Sequence, residues 1–325
     1  MKRMLVAALF LLAATVAKAQ QVQHIQQALL DIPSGEYSGI TRIQDDTYAV
    51  VHDKASGGGI FIFTIVFNAD GTILSVNSFE TDAKGAAGRD NEDVVYVPET
   101  KTLFVAAEGD QSIREYRLDG RETGRKLSIP KDLTNPQANA GFEALAYGNN
   151  TFWTTTEAPL PTESKAGLHQ VQSFNRKTLK AKNRYTYQAD SPLTGADDAA
   201  RATAYAHGIS AMTVLPDGRL AVLEREVYVP GSHVGFFSRI LGSYTHSCIY
   251  VVDPSKSKAG ATLPKTLLTS FYTSALNLAN FEGMCLGPKL KDGRQTLLLI
   301  ADSQDSYGGL TGEYLRVIAL DYNNK

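Results

Sequence analysis

Cysteine is scarce: Cys248 and Cys285 are the only two in 325 residues, too few for a disulfide framework. They form either one bridge, which an oxidising compartment permits, or two buried thiols. No C-x-x-C, H-E-x-x-H, Walker loop or G-x-S-x-G occurs. The usual signatures of zinc peptidases, nucleotide-binding loops and hydrolase elbows are therefore missing. Neither charge dominates, with 32 Lys and Arg against 34 Asp and Glu, which argues against nucleic-acid binding through a basic surface. No Pro/Gly/Ser-rich linker divides the chain. Beyond residue 16 no apolar run reaches the length of a membrane span.

The amino terminus reads as a leader. Lys2 and Arg3 precede an apolar run over residues 5–16, and Ala17-Lys18-Ala19 supplies a small-x-small cleavage pattern. Residues 1–19 are expected to be removed on export, leaving a secreted or periplasmic domain of residues 20–325. Loss of Lys2, Arg3 and Lys18 takes the formal charge from −2 to −5.

Self-similarity organises the rest. Five segments open on Glu or Ser, then a small or acidic residue, then an apolar one, and close on a charge after a β-rich run. Their opening and closing residues are Ser38 and Asp53, Glu92 and Glu108, Glu143 and Glu157, Ser210 and Arg225, and Glu282 and Asp302. If opening and closing residues lie side by side in an antiparallel hairpin, each midpoint must be a turn. The midpoints fall in Q-D-D-T, at Thr100, at Asn150, between Asp217 and Gly218, and at Asp292, all turn-forming stretches. Two further strand-like runs follow each of the first four hairpins, such as residues 112–118 and 126–129 in the second copy. Four antiparallel strands per unit predict an all-β fold, a propeller of five four-stranded blades. The fifth copy lacks an outer strand, which residues 22–30 would supply and so close the ring, although H-I-Q-Q-A-L-L also suits a helix. A sixth blade within the interval from Glu226 to Cys248 is the alternative to an inserted loop there.

This arrangement gathers Glu92, Glu143, Glu282, Asp53, Glu108, Glu157 and Asp302 at one rim. Such a crowd of carboxylates has three outcomes: binding a hard cation such as Ca²⁺, sharing protons as general acid and base, or accepting backbone N–H groups of the next blade. The run Arg89-Asp90-Asn91-Glu92-Asp93 is the densest local cluster. In the fourth copy Glu224 and Arg225 point to opposite faces, so the ring is purely acidic or contains a guanidinium suited to an anion. His207 and His52 lie just outside the same positions, as candidates for proton transfer or anion binding. Gly57-Gly58-Gly59 reads as a turn rather than a phosphate loop. Ser38 and Ser210 lack the strand–turn–helix context of a nucleophile.

The units D-N-E-D-V-V-Y-V-P-E-T-K-T-L-F-V-A-A-E, G-F-E-A-L-A-Y, G-I-S-A-M-T-V-L-P-D-G-R-L-A-V-L-E-R and N-F-E-G-M-C-L-G-P resemble the bacterial family described as having esterase-like activity of phytase, from about residue 35 to 321. More distantly they are similar to the calcium-dependent β-propeller phytases. That resemblance implies rim carboxylates holding Ca²⁺ ions, at Glu92, Glu143, Glu282, Glu108, Glu157 and Asp302. The expectation is a metal-assisted phosphoester or ester hydrolase. Its cation would be held by Glu92, Glu108, Glu157, Asp302, Asp53 and Asp90. Glu143, Glu282 and His207 would serve catalysis, and Arg225, Arg89 and His52 an anionic small molecule. The rival is a ligand- or protein-binding propeller with a structural cation; a lactonase-like propeller stands between them. No nucleic acid, no membrane span and a monomer complete the expectation.

Overall fold

A computed structural model describes residues 22–321, apart from 33–34, 55–58, 82–83, 87, 135–140, 164, 276 and 304–310. The proposed leader and Gly57 and Gly58 lie outside the described residues. Strand β1 (Val22–Leu29) is followed by β2 (Tyr37–Gln44), β3 (Thr47–His52), β4 (Ile60–Phe67) and β5 (Ile73–Glu80), the last four forming blade 1. Blade 2 contains β6 (Asn91–Val97), β7 (Thr102–Ala107), β8 (Ser112–Arg117) and β9 (Glu122–Lys126). Blade 3 contains β10 (Phe142–Gly148), β11 (Thr151–Thr156), β12 (Leu168–Asn175) and β13 (Ala181–Gln188). A short helix α1 (Ala196–Ala200) leads to blade 4: β14 (Ala204–Val214), β15 (Leu220–Val229), β16 (Tyr244–Val252) and β17 (Lys265–Ser274). Helix α2 (Phe236–Gly242) stands between β15 and β16. Blade 5 joins β18 (Asn280–Lys289), β19 (Gln295–Asp302) and β20 (Tyr314–Leu320) to β1, in the order β1-β20-β19-β18.

Residues 22–30 thus supply a strand and close the ring, pairing antiparallel from Val22 opposite Leu320 to Leu29 opposite Tyr314. Arg316 secures this clasp: it lies 3.9 Å from the Phe271 ring centroid and donates to Gln27 Oε1 and His24 Nδ1. The six-blade alternative is overturned among the described residues. The interval after Glu226 is spent on prolonging β15 to Val229, on α2 and on the start of β16 at Tyr244. The fourth strand of blade 2 also runs earlier than expected, over Glu122–Lys126 rather than 126–129.

The inner strands of each blade are buried almost throughout, exposed positions gather on the outer strands, and each blade packs against both neighbours. Five apolar clusters fill the five gaps, for example Phe104, Leu145 and Phe152 between blades 2 and 3, where the Phe104 and Phe152 ring centroids are 4.5 Å apart. Burying one such side chain contributes about 1.5–3 kcal/mol. Inner strands approach most closely at glycine: a Cβ on Gly39 would lie 2.5 Å from Asp93 Cα. Asp93 is itself a blade-to-blade tie, accepting the N–H groups of Val94 and, from blade 3, Leu145 at 2.7 Å. Cys248 and Cys285 are both buried and unpaired, so no disulfide contributes.

Candidate functional site

The five opening residues share one backbone device. Register shifts between Tyr37 and Gly39, Asn91 and Asp93, Phe142 and Ala144, Ile209 and Ala211, and Phe281 and Gly283. Ser38, Glu92, Glu143, Ser210 and Glu282 are therefore the extra residues of five β-bulges on the innermost strands, and all are buried. A bulge sharpens local twist and re-aims the side chain it carries. On the turn side the pairing is already one residue off the hairpin expectation, and the bulge adds one more, so that beyond it the offset is two. Asp53, Glu108 and Glu157 donate their backbone N–H to Glu36, Asp90 and Gly141, while Arg225 lies opposite Gly208 and Asp302 opposite Asn280.

One half of the ring is organised by Arg225. Its Nη2 lies 2.8 Å from Glu282 Oε1, 2.9 Å from Glu157 Oε1 and 3.8 Å from Glu143 Oε1. Arg225 is the residue that faces the channel. Glu224, on the opposite face, is engaged by Tyr187 and Lys265. Burial opposes the guanidinium charge, but Glu157, Glu282 and Glu143 outweigh it and hold Arg225 protonated. Its Nε and Nη1 are buried without a partner, as is the Oγ of Ser247, which pairs opposite it. Glu282 also receives Asn280 Nδ2 at 2.7 Å and shares a hydrogen bond with the fully buried Asp302.

The other half, from blades 1 and 2, is acidic. Asp53, Asp90 and Glu92 bring one carboxylate oxygen each within 4.8 Å of the others, and Asp53 belongs to a second such group with Glu36 and His52. The cation at hand is Lys54, 3.2 Å from Glu36 and 3.1 Å from Asp53, on a side chain 62% exposed. Glu92 has neither hydrogen bond nor ion pair among the described residues. Burial, with Glu282, Asp53 and Glu108 nearby, pushes its carboxyl well above the usual range. Glu143 is raised likewise, by burial and by Glu92, despite Arg225. Burial lifts Glu108 to about 7, against the hydrogen bond it accepts from Gly141 N–H. Burial and Asp53 lift Glu36 to about 7. Burial would also raise Asp53, but hydrogen bonds with His52, Glu36 and Lys54 outweigh it, so Asp53 is the ionised member of that pair. The oxygen-rich donors, the shared Asp53 and the unpartnered Glu92 fit a hard divalent cation.

Of the other expected residues, Arg89 and His207 stand apart, whereas His52 stays beside Asp53 and Ser210 on its bulge. Arg89 is held by Asp110 at 2.8 Å and Glu122 at 3.3 Å within blade 2. His207 pairs opposite Glu226, on the side of blade 4 that carries Glu224. His52 Nε2 accepts the Glu36 N–H, and its Nδ1 lies 3.6 Å from Asp53. Ser210 Oγ donates to Phe281 O, tying blade 4 to blade 5. Sequence reasoning missed Glu36 and Lys54. A signal existed for the first: Glu36 precedes Ser38 by two residues, as Asp90 precedes Glu92.

Fold and site together define a five-bladed propeller with a charged ring at one end of its channel. The chain belongs to the phytase-like family, described as esterase-like activity of phytase, whose model matches residues 32–304. Similar solved structures include a streptogramin B lyase, at 14% identity over 93% of this chain and 98% of that one, with a TM-score of 0.38. Another is a periplasmic gluconolactonase from Pseudomonas aeruginosa, at 15% identity over 85% of this chain and 71% of that one, with a TM-score of 0.35. A DUF4221 family member from Bacteroides vulgatus shares 7% identity over 93% and 98%, with a TM-score of 0.42. No curated protein matches.

Proposed function

We propose that the protein is an exported, monomeric hydrolase that cleaves an anionic phosphoester or carboxyl ester at the channel ring. Asp53, Asp90 and Glu92 would hold a Ca²⁺-class cation. The observation that carries this reading is the division of one ring, among the described residues, into an acidic half without a buried cation and a half centred on Arg225, whose Nε and Nη1 have no partner. Residues 1–19 carry the export reading, and no helix among the described residues is long and apolar enough to cross a membrane.

A bound cation supplies charge stabilisation to the substrate oxygens. Arg225 orients the anionic group through Nε and Nη1. Glu143, whose carboxyl burial raises, would donate a proton to a leaving oxygen, and Glu108, lifted to about 7, would exchange one with water. The rival, a ligand-binding propeller, draws on Glu108, whose carboxylate already ties blade 2 to Gly141.

The test is hydrolysis of a panel of phosphoesters and carboxyl esters with Ca²⁺ or chelator. Turnover is expected to require Ca²⁺ and to fall about 10²–10⁴-fold in Glu143→Gln. No turnover on any substrate, with Ca²⁺ binding intact in Glu143→Gln and Glu282→Gln, would overturn the hydrolase in favour of the binding propeller.

A further inference from the structure

Blade 4 carries a second concentration of metal-ligating side chains, beside the ring and sharing Arg225 with it as a lining residue. Strand register sets His207, Glu226, His246 and Tyr272 in one row, with Glu224 opposite Cys248 in the row two residues along. Alternation places Glu224 with Glu226, and Cys248 with His246, on one face. Together with His207 they line a cavity of about 70 Å³ beside Asp190. The carboxylates there are already engaged. Glu226 accepts the N–H groups of Leu193 and Thr194 at 2.7 Å each. Glu224 accepts Asp190 N–H at 2.9 Å and Lys265 at 2.6 Å. What remains is two imidazoles and a thiol in a negative field.

The geometry of the thiol and one imidazole matches a shared ion. Cys248 Sγ lies 3.4 Å from His246 Nε2. Tetrahedral Zn²⁺, with Zn–S of about 2.3 Å and Zn–N of about 2.0 Å, separates an S and an N ligand by about 3.5 Å. The His246 ring is held in place by stacking on Tyr272, with centroids 4.2 Å apart and planes 13° from parallel. His207 makes no hydrogen bond among the described residues, so it turns without breaking one. Two strand spacings of about 4.8 Å put the His207 backbone about 10 Å from that of His246 across Glu226; the His207 ring does not stand within ligating reach of the other two and must turn to join them.

We propose that this cavity is a soft-cation site, in which Cys248, His246 and His207 ligate Zn²⁺ or an ion of the same class. Nitrogen and sulfur donors separate it in chemistry from the oxygen-rich ring. Burial, with Glu224 and Asp190, pushes the free Cys248 thiol up to about 11. Ion binding therefore releases the thiol proton to solvent, and affinity rises with pH.

The experiment is a Co²⁺ titration of the metal-free full-length mature protein in excess Ca²⁺, which keeps any oxygen-rich ring site filled and makes the result independent of the hydrolase reading. One equivalent of Co²⁺ should give thiolate-to-cobalt charge-transfer absorption that Zn²⁺ abolishes. Cys248→Ser should remove the band, His246→Ala and His207→Ala should weaken binding at least about 10-fold, and Cys285→Ser should change nothing. Circular dichroism confirms that each variant is folded. No band in the wild type at millimolar Co²⁺, a band surviving Cys248→Ser, or undiminished affinity in both histidine variants overturns the site and leaves the 3.4 Å contact as an S–H···N hydrogen bond.

Discussion

Replacing Arg225 by methionine keeps much of the side-chain volume and removes the one guanidinium that faces Glu143, Glu157 and Glu282. Taking one partner from a buried ion pair costs about 3–5 kcal/mol, a large share of the roughly 5–15 kcal/mol that holds a domain folded. The loss should depend on pH, and its sign follows from proton binding. Arg225 lowers the carboxyls of Glu143 and Glu282, opposing burial. Without it both rise further, and the folded variant keeps protons that the unfolded chain has released. A carboxyl raised on folding contributes stability below its unfolded pKa and loses it as pH rises through the folded one. The variant should therefore be closest to wild type near pH 5 and furthest at pH 8. Each proton that the folded variant keeps at a pH where the folded wild type has released it adds about 1.4 kcal/mol per pH unit. Urea unfolding at pH 5, 6, 7 and 8, followed by circular dichroism, measures this directly. A difference from wild type below about 1 kcal/mol at pH 8, or equal at pH 5 and pH 8, refutes the argument that Arg225 holds the ring together.

Two more predictions concern the wild-type ring and the blade contacts. Glu36 and Glu108, each raised to about 7, should make the Ca²⁺-free protein less stable as pH climbs from 5 to 8, with Ca²⁺ raising Tm more at pH 8 than at pH 5; equal Ca²⁺ shifts at the two pH values would count against a cation among these carboxyls. Gly39→Ala places a Cβ 2.5 Å from Asp93 Cα, so backbone must move between blades 1 and 2 at a cost of about 1–3 kcal/mol; an unfolding free energy equal to wild type would show that the inner strands have slack.

The blades were legible because turn residues and β-rich runs recur at the same positions in each unit. Asn149, Asn150, Gly218 and Gly293 do adopt positive φ in the expected turns. Register was less legible. A bulge adds one residue to the inner strand alone, and a pairing shifted by two residues still has its midpoint in the same turn. The turn test was therefore satisfied by both registers, although only the shifted one pairs Asp53 with Glu36 and Glu108 with Asp90. Of the column two residues before each opening, Asp90 alone was singled out, and Glu36 and Asn280 were overlooked for that reason. Strand alternation posed the choice between Glu224 and Arg225 but could not resolve it, because which face meets the channel depends on how the whole blade is tilted. His246 and Cys248 gave no sequence signal, since they face His207 only through two strand pairings.

The clasp between β1 and β20 also sets the order of events when the chain is made. The first strand to leave the ribosome must wait for the last, because Val22 finds its partner only at Leu320. Until then β1 has no strand partner, and until β1 docks β20 presents an open edge, a template for pairing with other chains; the contact that completes the circle carries the greatest loop-closure cost in the molecule. Blades 1 to 4 each contain four strands close in sequence and can form as local units. The slow, aggregation-exposed step is therefore the joining of the two ends, which makes Arg316, Phe271 and His24 the residues on which productive folding turns.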